Sequence, residues 1–337
     1  MKEIGSEYWD IPLTDKKTKF QFPEDTVWYL SGRSALNAIL DDICKNRNIK
    51  SAALPSWCCD SMIKPFLIHG LTVNFYSVYL DKDNHLIQEI ESAKSDVILV
   101  LDYFGFHNCP QFKTEAIVIR DITHSVFIEL KYNADYVFGS LRKWTGFYTG
   151  GFAWSNISKM KNDYEKADKL EYCSLRKQAM EKKAQYINAN VGDKSFLALF
   201  SKAEEWLDKN IDIYGSSDRD LSLFHKLDIS TICEQRKRNA QYLLNRLGQL
   251  SFATQLSDDE CPLFVPIFLE NNKRNNLRKH LIEKSIYCPI HWGISEYHSL
   301  HDHIKEIYDT ELSIICDQRY DLSDMERIAD TIEMFLR

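Results

Sequence analysis

Short apolar runs rich in β-branched residues alternate with polar connecting segments through the first half of the chain. The runs lie at residues 72–78, 97–103, 116–121, 134–141 and 151–154. Continuous apolar runs of this length are typical of strands that are buried on both faces, as in a parallel sheet. Because connecting segments separate the runs, the pattern predicts an α/β fold with a mainly parallel sheet wrapped by helices.

In the second half of the chain, a stretch of helical patterns is followed by a region in which helical and strand patterns alternate. Residues 157–210 are rich in Lys, Glu, Asp and Gln and have few apolar positions, which predicts two or more helices with one exposed side. The last segment, 322–337, predicts a helix capped by Ser323, with Glu326 three residues later. Further helices are predicted at 232–247 and 275–285, and further strands at 262–269 and 311–317.

These patterns predict three parts of the chain. An amino-terminal arm covers residues 1–30, a large domain covers 31–248 and includes the helical segment, and a small α/β domain covers 249–337. A chain of 337 residues is long enough for two subdomains around one substantial core.

Charge and composition exclude several classes of function. With a net charge of -7, the chain has no field that would attract nucleic acid or an anionic membrane, so neither is expected as a partner. No apolar run approaches the length that spans a bilayer, and the nine scattered cysteines favour free thiols in a reducing compartment. We therefore expect a cytoplasmic protein. We expect no metal site, because the histidines of 298–303 stand in a charged region without a second cluster, as in a solvated turn.

Two glycine-containing segments suit tight backbone geometry. SGRSALNAIL (31–40) begins with small residues and continues with apolar residues at helical spacing. A helix that begins at Gly32 offers backbone N–H groups and a positive dipole end to a phosphate. The same residues also suit an ordinary helix cap, and a different phosphorylated ligand at Gly32 is an alternative. TGFYTGGFAW (145–154) contains a Gly-Gly pair that suits a tight turn back into the sheet.

The most informative residues are a strand-end aspartate and a lysine downstream of it. Asp121 ends the run AIVIRD (116–121), so its side chain is expected at the carboxyl edge of the sheet, where open α/β sheets bind ligands. Lys143 follows the apolar run YVFGSL (136–141). Pyridoxal phosphate needs such a pair, because a lysine amine binds it as an imine and a carboxylate keeps its ring nitrogen protonated. A surface lysine on a loop is the alternative for Lys143.

Several motifs in succession resemble one family. They are SGRSAL, LPSWCCDSMIKPFLIHGLTVNFYSV (54–78), VILVLDYFG (97–105), RDITHS (120–125), SLRKW (140–144) and TGGFAW. Their order resembles the large domain of fold-type I pyridoxal phosphate enzymes and, more narrowly, the DegT/StrS aminotransferases, many of which aminate keto sugars on nucleotide carriers. YCPIHW (287–292) is similar to the family's Tyr-x-Pro-x-His segment. The resemblance implies a large domain with a mainly parallel sheet of the seven-stranded type and a small carboxyl-terminal α/β domain.

The resemblance also implies roles for single residues around pyridoxal 5'-phosphate. Lys143 would hold the cofactor as an imine and later move a proton between the substrate and the cofactor. Asp121 would pair with the pyridine nitrogen, and His124 would lie near the phenolic oxygen. Ser140 would bind the phosphate. Further phosphate donors, from backbone or side chains, are implied at the start of the first large-domain helix: Gly32, Arg33 and Ser34.

Other implied contacts concern the cofactor ring and the substrate. The family places a residue, usually an aromatic one, against the ring at the position of Trp57 or Cys59, and we favour Trp57. His291, in the segment similar to Tyr-x-Pro-x-His, is assigned to the substrate.

Two features depart from the family pattern. SLRK (140–143) brings the serine and the lysine closer together than is typical, and DQRY (317–320) suggests a subgroup whose acceptor is not a nucleotide sugar. Arg319 lies where transaminases of amino acids often keep an arginine that binds the substrate α-carboxylate. A surface salt bridge to the helix that contains Asp324 is the alternative for this arginine.

Taken as a whole, the resemblance implies an aminotransferase that moves an amino group from an amino-acid donor, with glutamate as first choice, to a keto acceptor such as a keto sugar. It also implies a homodimer in which residues of the neighbour lie near the cofactor phosphate. Besides a different phosphorylated ligand at Gly32, two alternatives stay open. The same cofactor also supports decarboxylation, elimination and carbon–carbon cleavage, and a non-catalytic protein can retain the fold.

Overall fold

The structure is a computed structural model, and it describes residues 2–16, 20–128, 134–189, 192–298 and 302–337. The helices are α1 (Gly32–Asn46), α2 (Asp60–Ile68), α3 (Glu171–Ala189), α4 (Phe196–Lys209), α5 (Asp218–Phe224), α6 (Ile229–Leu247), α7 (Asn271–Glu283), α8 (Asp302–Thr310) and α9 (Leu322–Leu336). The strands are β1 (Ile4–Gly5), β2 (Val27–Tyr29), β3 (Ser51–Pro55), β4 (Thr72–Tyr76), β5 (Val78–Leu80), β6 (Leu86–Gln88), β7 (Val97–Leu101), β8 (Ile117–Asp121), β9 (Tyr136–Ser140), β10 (Gly151–Ser155), β11 (Phe264–Phe268), β12 (Ile286–Tyr287) and β13 (Glu311–Ile315).

Seven strands form the main sheet, in the order β2-β10-β9-β8-β7-β3-β4. Strand β3 pairs in parallel with β4 and with β7, and β7 pairs in parallel with β8. Strand β10 pairs antiparallel with β2 and with β9. Strands β7, β9 and β10 are buried at every residue, as expected for strands covered on both faces. The predicted α/β fold with a mainly parallel seven-stranded sheet is therefore confirmed.

The chain divides into two compact units. The first unit contains residues 1–6, 49–134 and 230–337, and the second contains 7–48 and 135–229. The predicted arm, large domain and small domain have other boundaries, and they stay a prediction.

In the first unit, parallel strands are followed along the chain by a small antiparallel ladder. Strand β11 pairs with β13 from Phe264 opposite Ile315 to Phe268 opposite Glu311. All five residues of β13 are buried, although two of them are polar. The two strands and the helix α7 confirm the elements predicted at 262–269, 275–285 and 311–317 to within a few residues.

In the second unit, α3 and α4 confirm the helices predicted for 157–210. Their apolar residues face each other around buried Ala179, Phe196 and Phe200, which is why a segment with sparse apolar positions still folds. None of the described helices combines the length and the apolarity that crossing a bilayer requires.

The cap predicted for the last helix is wrong. The N-cap of α9 is Asp321, whose carboxylate accepts hydrogen bonds from the N–H groups of Ser323 and Asp324. The Asp324 carboxylate in turn accepts from the N–H of Asp321, which completes a capping box two residues before the predicted one. An aspartate caps as well as a serine, and its charge also suits the positive end of the helix dipole.

A tight turn at Gly105, after β7, contacts the segment before β11 within the first unit. Gly105 has φ +83°, and a Cβ there would lie 2.0 Å from the carbonyl oxygen of Cys261. The Cys261 N–H donates to the Gly105 carbonyl at 3.2 Å, so the two backbones are in direct contact. Only glycine meets both requirements at this position.

We therefore expect Gly105→Ala to lower the free energy of unfolding more than Gly70→Ala does. Gly70 has a similar φ, +74°, but open space where its Cβ would lie. Both variants should lose about 1–2 kcal/mol from left-handed backbone strain. Gly105→Ala should lose a further ~1–3 kcal/mol because the methyl group has no room. Chemical denaturation of the two variants measures the difference, and equal losses would contradict the steric explanation.

Candidate functional site

Asp121 lies at the carboxyl end of β8, in the first unit. It stands opposite Leu101 in the parallel ladder with β7, and it is buried, with 2% of its surface exposed. Its Oδ1 accepts a hydrogen bond from the Thr123 N–H at 2.8 Å, and its carbonyl accepts from the Asp102 N–H. The strand end and the turn after it thus fix the position of this carboxyl group.

A buried ion pair ties the ends of β7 and β8 together beside Asp121. The Arg120 guanidinium donates from Nε and Nη2 to the two carboxylate oxygens of Asp102, at 2.8 and 2.9 Å. Burial raises the pKa of Asp102, and the charge of Arg120 acts against that rise. Because Arg120 and Asp102 neutralise each other, the pair adds no net charge next to Asp121.

His124 lies inside an aromatic cluster of the first unit. It has no exposed surface, and its ring stacks on Trp292 at 5.5 Å between centroids. Phe104 lies 5.1 Å from it, and His291 meets it edge-on at 5.3 Å. The structure therefore brings together two residues, His124 and His291, that the sequence assigned separately to cofactor and substrate.

Trp57 and Cys59, the two candidates for contact with a cofactor ring, have different surroundings. Trp57 is fully buried, stacks on Tyr103 at 4.8 Å, and donates from Nε1 to the His291 carbonyl at 2.6 Å. Cys59 is half-buried at the N-cap of α2, with its Sγ 2.9 Å from the Ser61 Oγ. The indole of Trp57 thus holds the backbone of His291, whereas Cys59 is the candidate with exposed surface. The choice between them stays a prediction.

Two buried polar residues that the sequence analysis missed support His291. The His291 N–H donates to Glu311 Oε2 at 2.6 Å, and its ring Nδ1 lies 2.8 Å from the Ser313 Oγ. Glu311 and Ser313 alternate with apolar residues on β13, so both point to the same face of the strand. Two polar residues spaced two apart in an otherwise apolar strand were the available signal.

Arg319 is bound by a carboxylate two residues before it in the chain. Its Nε and Nη2 donate to the two carboxylate oxygens of Asp317, at 2.9 and 2.8 Å. Burial acts to raise the pKa of Asp317, but the Arg319 guanidinium holds that pKa below its ordinary value. Asp324, on the helix that was considered as the alternative partner, pairs with Lys2. Arg319 therefore forms a salt bridge, with a nearer carboxylate than the one considered from the sequence.

In the second unit, helix α1 begins where the sequence predicted it. Ser31 is the N-cap, and its Oγ accepts a hydrogen bond from the Ser34 N–H at 3.2 Å. A Cβ on Gly32 would lie 3.4 Å from the Cβ of Ser140, so the helix start and the end of β9 are in contact. A Cβ on Gly151 would lie 2.0 Å from the Ser31 carbonyl, so the second glycine of TGGFAW lets β10 pass the helix start.

Lys143 ends a short 3₁₀ turn, Leu141–Lys143, that follows Ser140 directly. The turn is closed by a hydrogen bond from the Trp144 N–H to the Leu141 carbonyl at 2.9 Å, and the Leu141 N–H donates to the Gly150 carbonyl at 2.8 Å. Lys143 is half-buried, and Ser140 is buried. The turn places the serine and the lysine at one end of β9.

The Arg33 side chain takes part in another contact. Its Nη1 donates to the Leu207 carbonyl at 2.6 Å and lies 3.0 Å from the Asp208 carboxylate. The guanidinium therefore links α1 to α4. Because the guanidinium points to α4, the hydrogen-bond donor that Arg33 places at the start of α1 is its backbone N–H.

Comparisons with known proteins show the fold. No family model matches the sequence, and no curated protein matches it. PseC from Helicobacter pylori, an aminotransferase involved in the biosynthesis of pseudoaminic acid, is 13% identical, with a TM-score of 0.59 over 98% of this chain and 99% of that chain. NtdA from Bacillus subtilis with bound cofactor PMP is 13% identical, with a TM-score of 0.62 over 92% and 73%.

A third solved structure carries the family description that the motifs suggested. It is a DegT DnrJ EryC1 StrS aminotransferase from Brucella abortus, 14% identical, with a TM-score of 0.57 over 92% of this chain and 85% of that chain. The chain therefore has the fold of these aminotransferases, and the fold-type I architecture predicted from the sequence is confirmed.

Proposed function

We propose that the chain is a pyridoxal phosphate-dependent aminotransferase, which moves an amino group from an amino-acid donor to a keto acceptor. The observation that carries the proposal is Asp121, a buried carboxyl group fixed at the carboxyl end of a parallel strand, in a chain with the fold of such enzymes. When bound, the cofactor supplies an electron sink that lets a C–H bond next to the amino group break.

The start of α1 fits the cofactor phosphate. The N–H groups of Gly32 and Arg33 lie in the first turn, where no intrahelical carbonyl precedes them, and the helix dipole is positive there. Ser140 lies against this turn and adds a hydroxyl donor. Serine hydroxyls and backbone N–H groups at a helix start are the donors that phosphate sites commonly use. The Ser34 hydroxyl, 3.3 Å from the Ser31 hydroxyl, extends the same set.

Asp121 has the chemistry that a protonated ring nitrogen requires. Its carboxylate accepts a hydrogen bond from the Thr123 N–H, which orients it at the end of β8. A buried carboxylate raises the pKa of a nitrogen base next to it, because the opposite charges attract strongly away from water. We propose that Asp121 holds a proton on the cofactor ring.

Lys143 is the proposed attachment point and proton carrier. A lysine amine must be neutral for part of the time to act as a nucleophile, and Lys143 is half-buried at the end of the 3₁₀ turn. Lys143 would take a proton from the α-carbon of the amino donor and deliver it to C4′ of the cofactor. The proposal thus gives the two residues complementary roles, with Asp121 holding one proton and Lys143 moving another.

We propose glutamate as the amino donor and a keto sugar as the acceptor. Glutamate rests on the resemblance of the sequence motifs to the DegT/StrS aminotransferases. The keto sugar rests on similarity to the sugar aminotransferase CalS13 from Micromonospora echinospora and to PseC, an aminotransferase involved in the biosynthesis of pseudoaminic acid. Arg319 is bound in bidentate fashion by Asp317, and its contact with a substrate α-carboxylate stays a prediction. His291 remains the proposed substrate contact.

Lys143→Ala should abolish covalent attachment of pyridoxal phosphate and all transamination. The variant should lack the absorbance band of attached cofactor after incubation with pyridoxal phosphate and gel filtration. Borohydride reduction of the wild type should then leave the added mass on the peptide that contains Lys143. Lys169→Ala, at an exposed lysine of the same unit, is the matched control and should retain the band. A band that persists in Lys143→Ala would assign the attachment to another lysine.

Asp121→Asn should keep the attached cofactor but slow turnover. The amide is neutral and cannot hold the ring proton, so we expect kcat to fall by about a hundredfold, the scale of a lost ionic partner at a reacting centre. Asp83→Asn, at an exposed hairpin residue, should keep wild-type turnover. Rates are followed as keto acid released from glutamate, and a near-normal rate in Asp121→Asn would remove this residue from the role.

We also propose a homodimer in the cytoplasm, from the resemblance to fold-type I enzymes. Light scattering of the cofactor-loaded protein should give twice the mass of one chain. A monomer with full activity would contradict the proposed dimer but would leave the assignment of the cofactor unchanged.

A further inference from the structure

A buried carboxyl group binds the backbone of His291, and the proposed function gives this group no role. Glu311 begins β13 and has no exposed surface. Its Oε2 accepts the N–H of His291 at 2.6 Å, and its Oε1 lies 2.5 Å from the Ser313 Oγ. A carboxyl group in such a position costs free energy unless it is protonated or well bonded.

The same hydroxyl continues the chain of hydrogen bonds to an imidazole. The Ser313 Oγ lies 2.8 Å from His291 Nδ1. A serine hydroxyl has one proton, so it donates to one of these neighbours while it accepts from the other. The direction of both hydrogen bonds is therefore set by whether Glu311 carries a proton.

Two arrangements follow from this constraint. When Glu311 is protonated, it donates to Ser313, Ser313 donates to His291 Nδ1, and the imidazole proton lies on Nε2. When Glu311 is ionised, Ser313 donates to the carboxylate, His291 Nδ1–H donates to Ser313, and Nε2 carries no proton. The protonation state of Glu311 thus selects the tautomer of His291.

Burial places the change between these arrangements near physiological pH. Burial raises the pKa of Glu311 to about 8, while the hydrogen bonds from His291 and Ser313 and the charge of Arg274 act against the rise. Arg274, on α7, faces this group and donates to the Glu311 carbonyl at 2.8 Å. Cys288 also faces Glu311, and burial raises its pKa to about 12, so it stays neutral. Glu311 is therefore mostly protonated at pH 7 and ionised above about pH 8.

The ring of His291 lies close to the end of β8 within the first unit. It meets His124 edge-on at 5.3 Å, and His124 follows Asp121 by three residues. Phe104 and Phe264 pack on it at 5.5 and 5.1 Å, and Trp57 holds its carbonyl. The backbone and ring positions of His291 are thus fixed from several sides.

We propose that Glu311 and Ser313 form a proton relay that lets His291 donate a proton to an oxygen of the bound acceptor. Glu311 and Ser313 are positioning residues, and His291 is the catalytic residue. The inference rests on the proposed function, and it favours an acceptor whose reacting oxygen is uncharged before the proton arrives, such as the carbonyl of a keto sugar.

The step balances in protons and charge. The Nε2–H bond of His291 breaks as an O–H bond forms on the acceptor. The Ser313 proton moves to Nδ1, and the Glu311 proton moves to Ser313. Negative charge that would otherwise develop on the acceptor oxygen thus ends on the Glu311 carboxylate, and solvent restores the proton after product leaves. The relay needs no oxidant or reductant.

The tautomer of His291 can be measured without any reaction. Protein labelled with ¹⁵N-histidine contains ten labelled rings, and His291→Gln identifies the signal of interest by its loss. In the wild type we expect proton on Nε2 at pH 7 and on Nδ1 at pH 9. Glu311→Gln, whose amide donates to Ser313 at any pH, should keep the proton on Nε2 at both values. A wild-type tautomer that does not change, or a Glu311→Gln protein that behaves as the wild type, would overturn the relay.

Kinetics test the catalytic use of the relay. In Glu311→Gln, the half-reaction with the keto acceptor should slow by about tenfold, because the amide cannot pass a proton on. The half-reaction with glutamate should keep its rate. The wild-type acceptor half-reaction should decline as pH rises through about 8, and this decline should be absent in the variant. If Glu311→Gln slowed both half-reactions equally, or kept the pH profile of the wild type, the proposal would be overturned.

Further variants separate folding effects from catalysis. Ser313→Ala interrupts the relay without adding volume, and it should slow the same half-reaction and remove the pH step. Glu283→Gln, at an exposed position of α7, is the matched control and should leave both half-reactions unchanged. Failure of Lys143 to bind the cofactor would count against the proposed function, whereas an unchanged His291 tautomer would count against the relay, so the two failures are distinguishable.

Discussion

The buried ion pair between Arg120 and Asp102 is the constraint on which the position of Asp121 depends. Two hydrogen bonds of 2.8 and 2.9 Å join the end of β8 to the residue after β7, away from water. Loss of one partner from such a pair typically costs about 3–5 kcal/mol, because the remaining charge stays buried. Asp121 follows Arg120 directly, so the ion pair fixes the strand end from which the proposed cofactor contact extends.

The aromatic residues after this strand end extend the same rigid region. His124 is covered by Trp292 and Phe104, and Trp57 binds the backbone of His291. Rings with two side-chain torsions lose little entropy on ordering, so such a cluster holds polar groups in place at low cost. The polar chain from Glu311 to His291 is thus enclosed by groups that cannot easily rearrange.

Much of the fold follows from local patterns in the sequence, whereas most of the site does not. Apolar runs predicted the strands because burial on both faces leaves a continuous signal, and SGRSAL predicted the start of α1 because small residues and a glycine precede helical spacing. The cap of α9 was misplaced because Ser323 and Asp321 are both good caps, and only the hydrogen bonds distinguish them. Contacts such as Glu311 with His291 join residues 20 positions apart, and no local pattern encodes them. Arg319 is a similar case, since its charge was visible but its partner was not.

The order of segments in the first unit has a consequence for biosynthesis. That unit is assembled from residues 1–6, 49–134 and 230–337, and the hydrogen bond from Trp57 to His291 joins positions 234 apart. All of the second unit, which ends at residue 229, is synthesised before the last part of the first unit. Domains fold as the nascent chain emerges, amino-terminal parts first, and distant contacts form slowly. On the ribosome, β3, β4, β7 and β8 can therefore pair with one another early, whereas Trp57 and the turn at Gly105 must wait until their carboxyl-terminal partners have been synthesised.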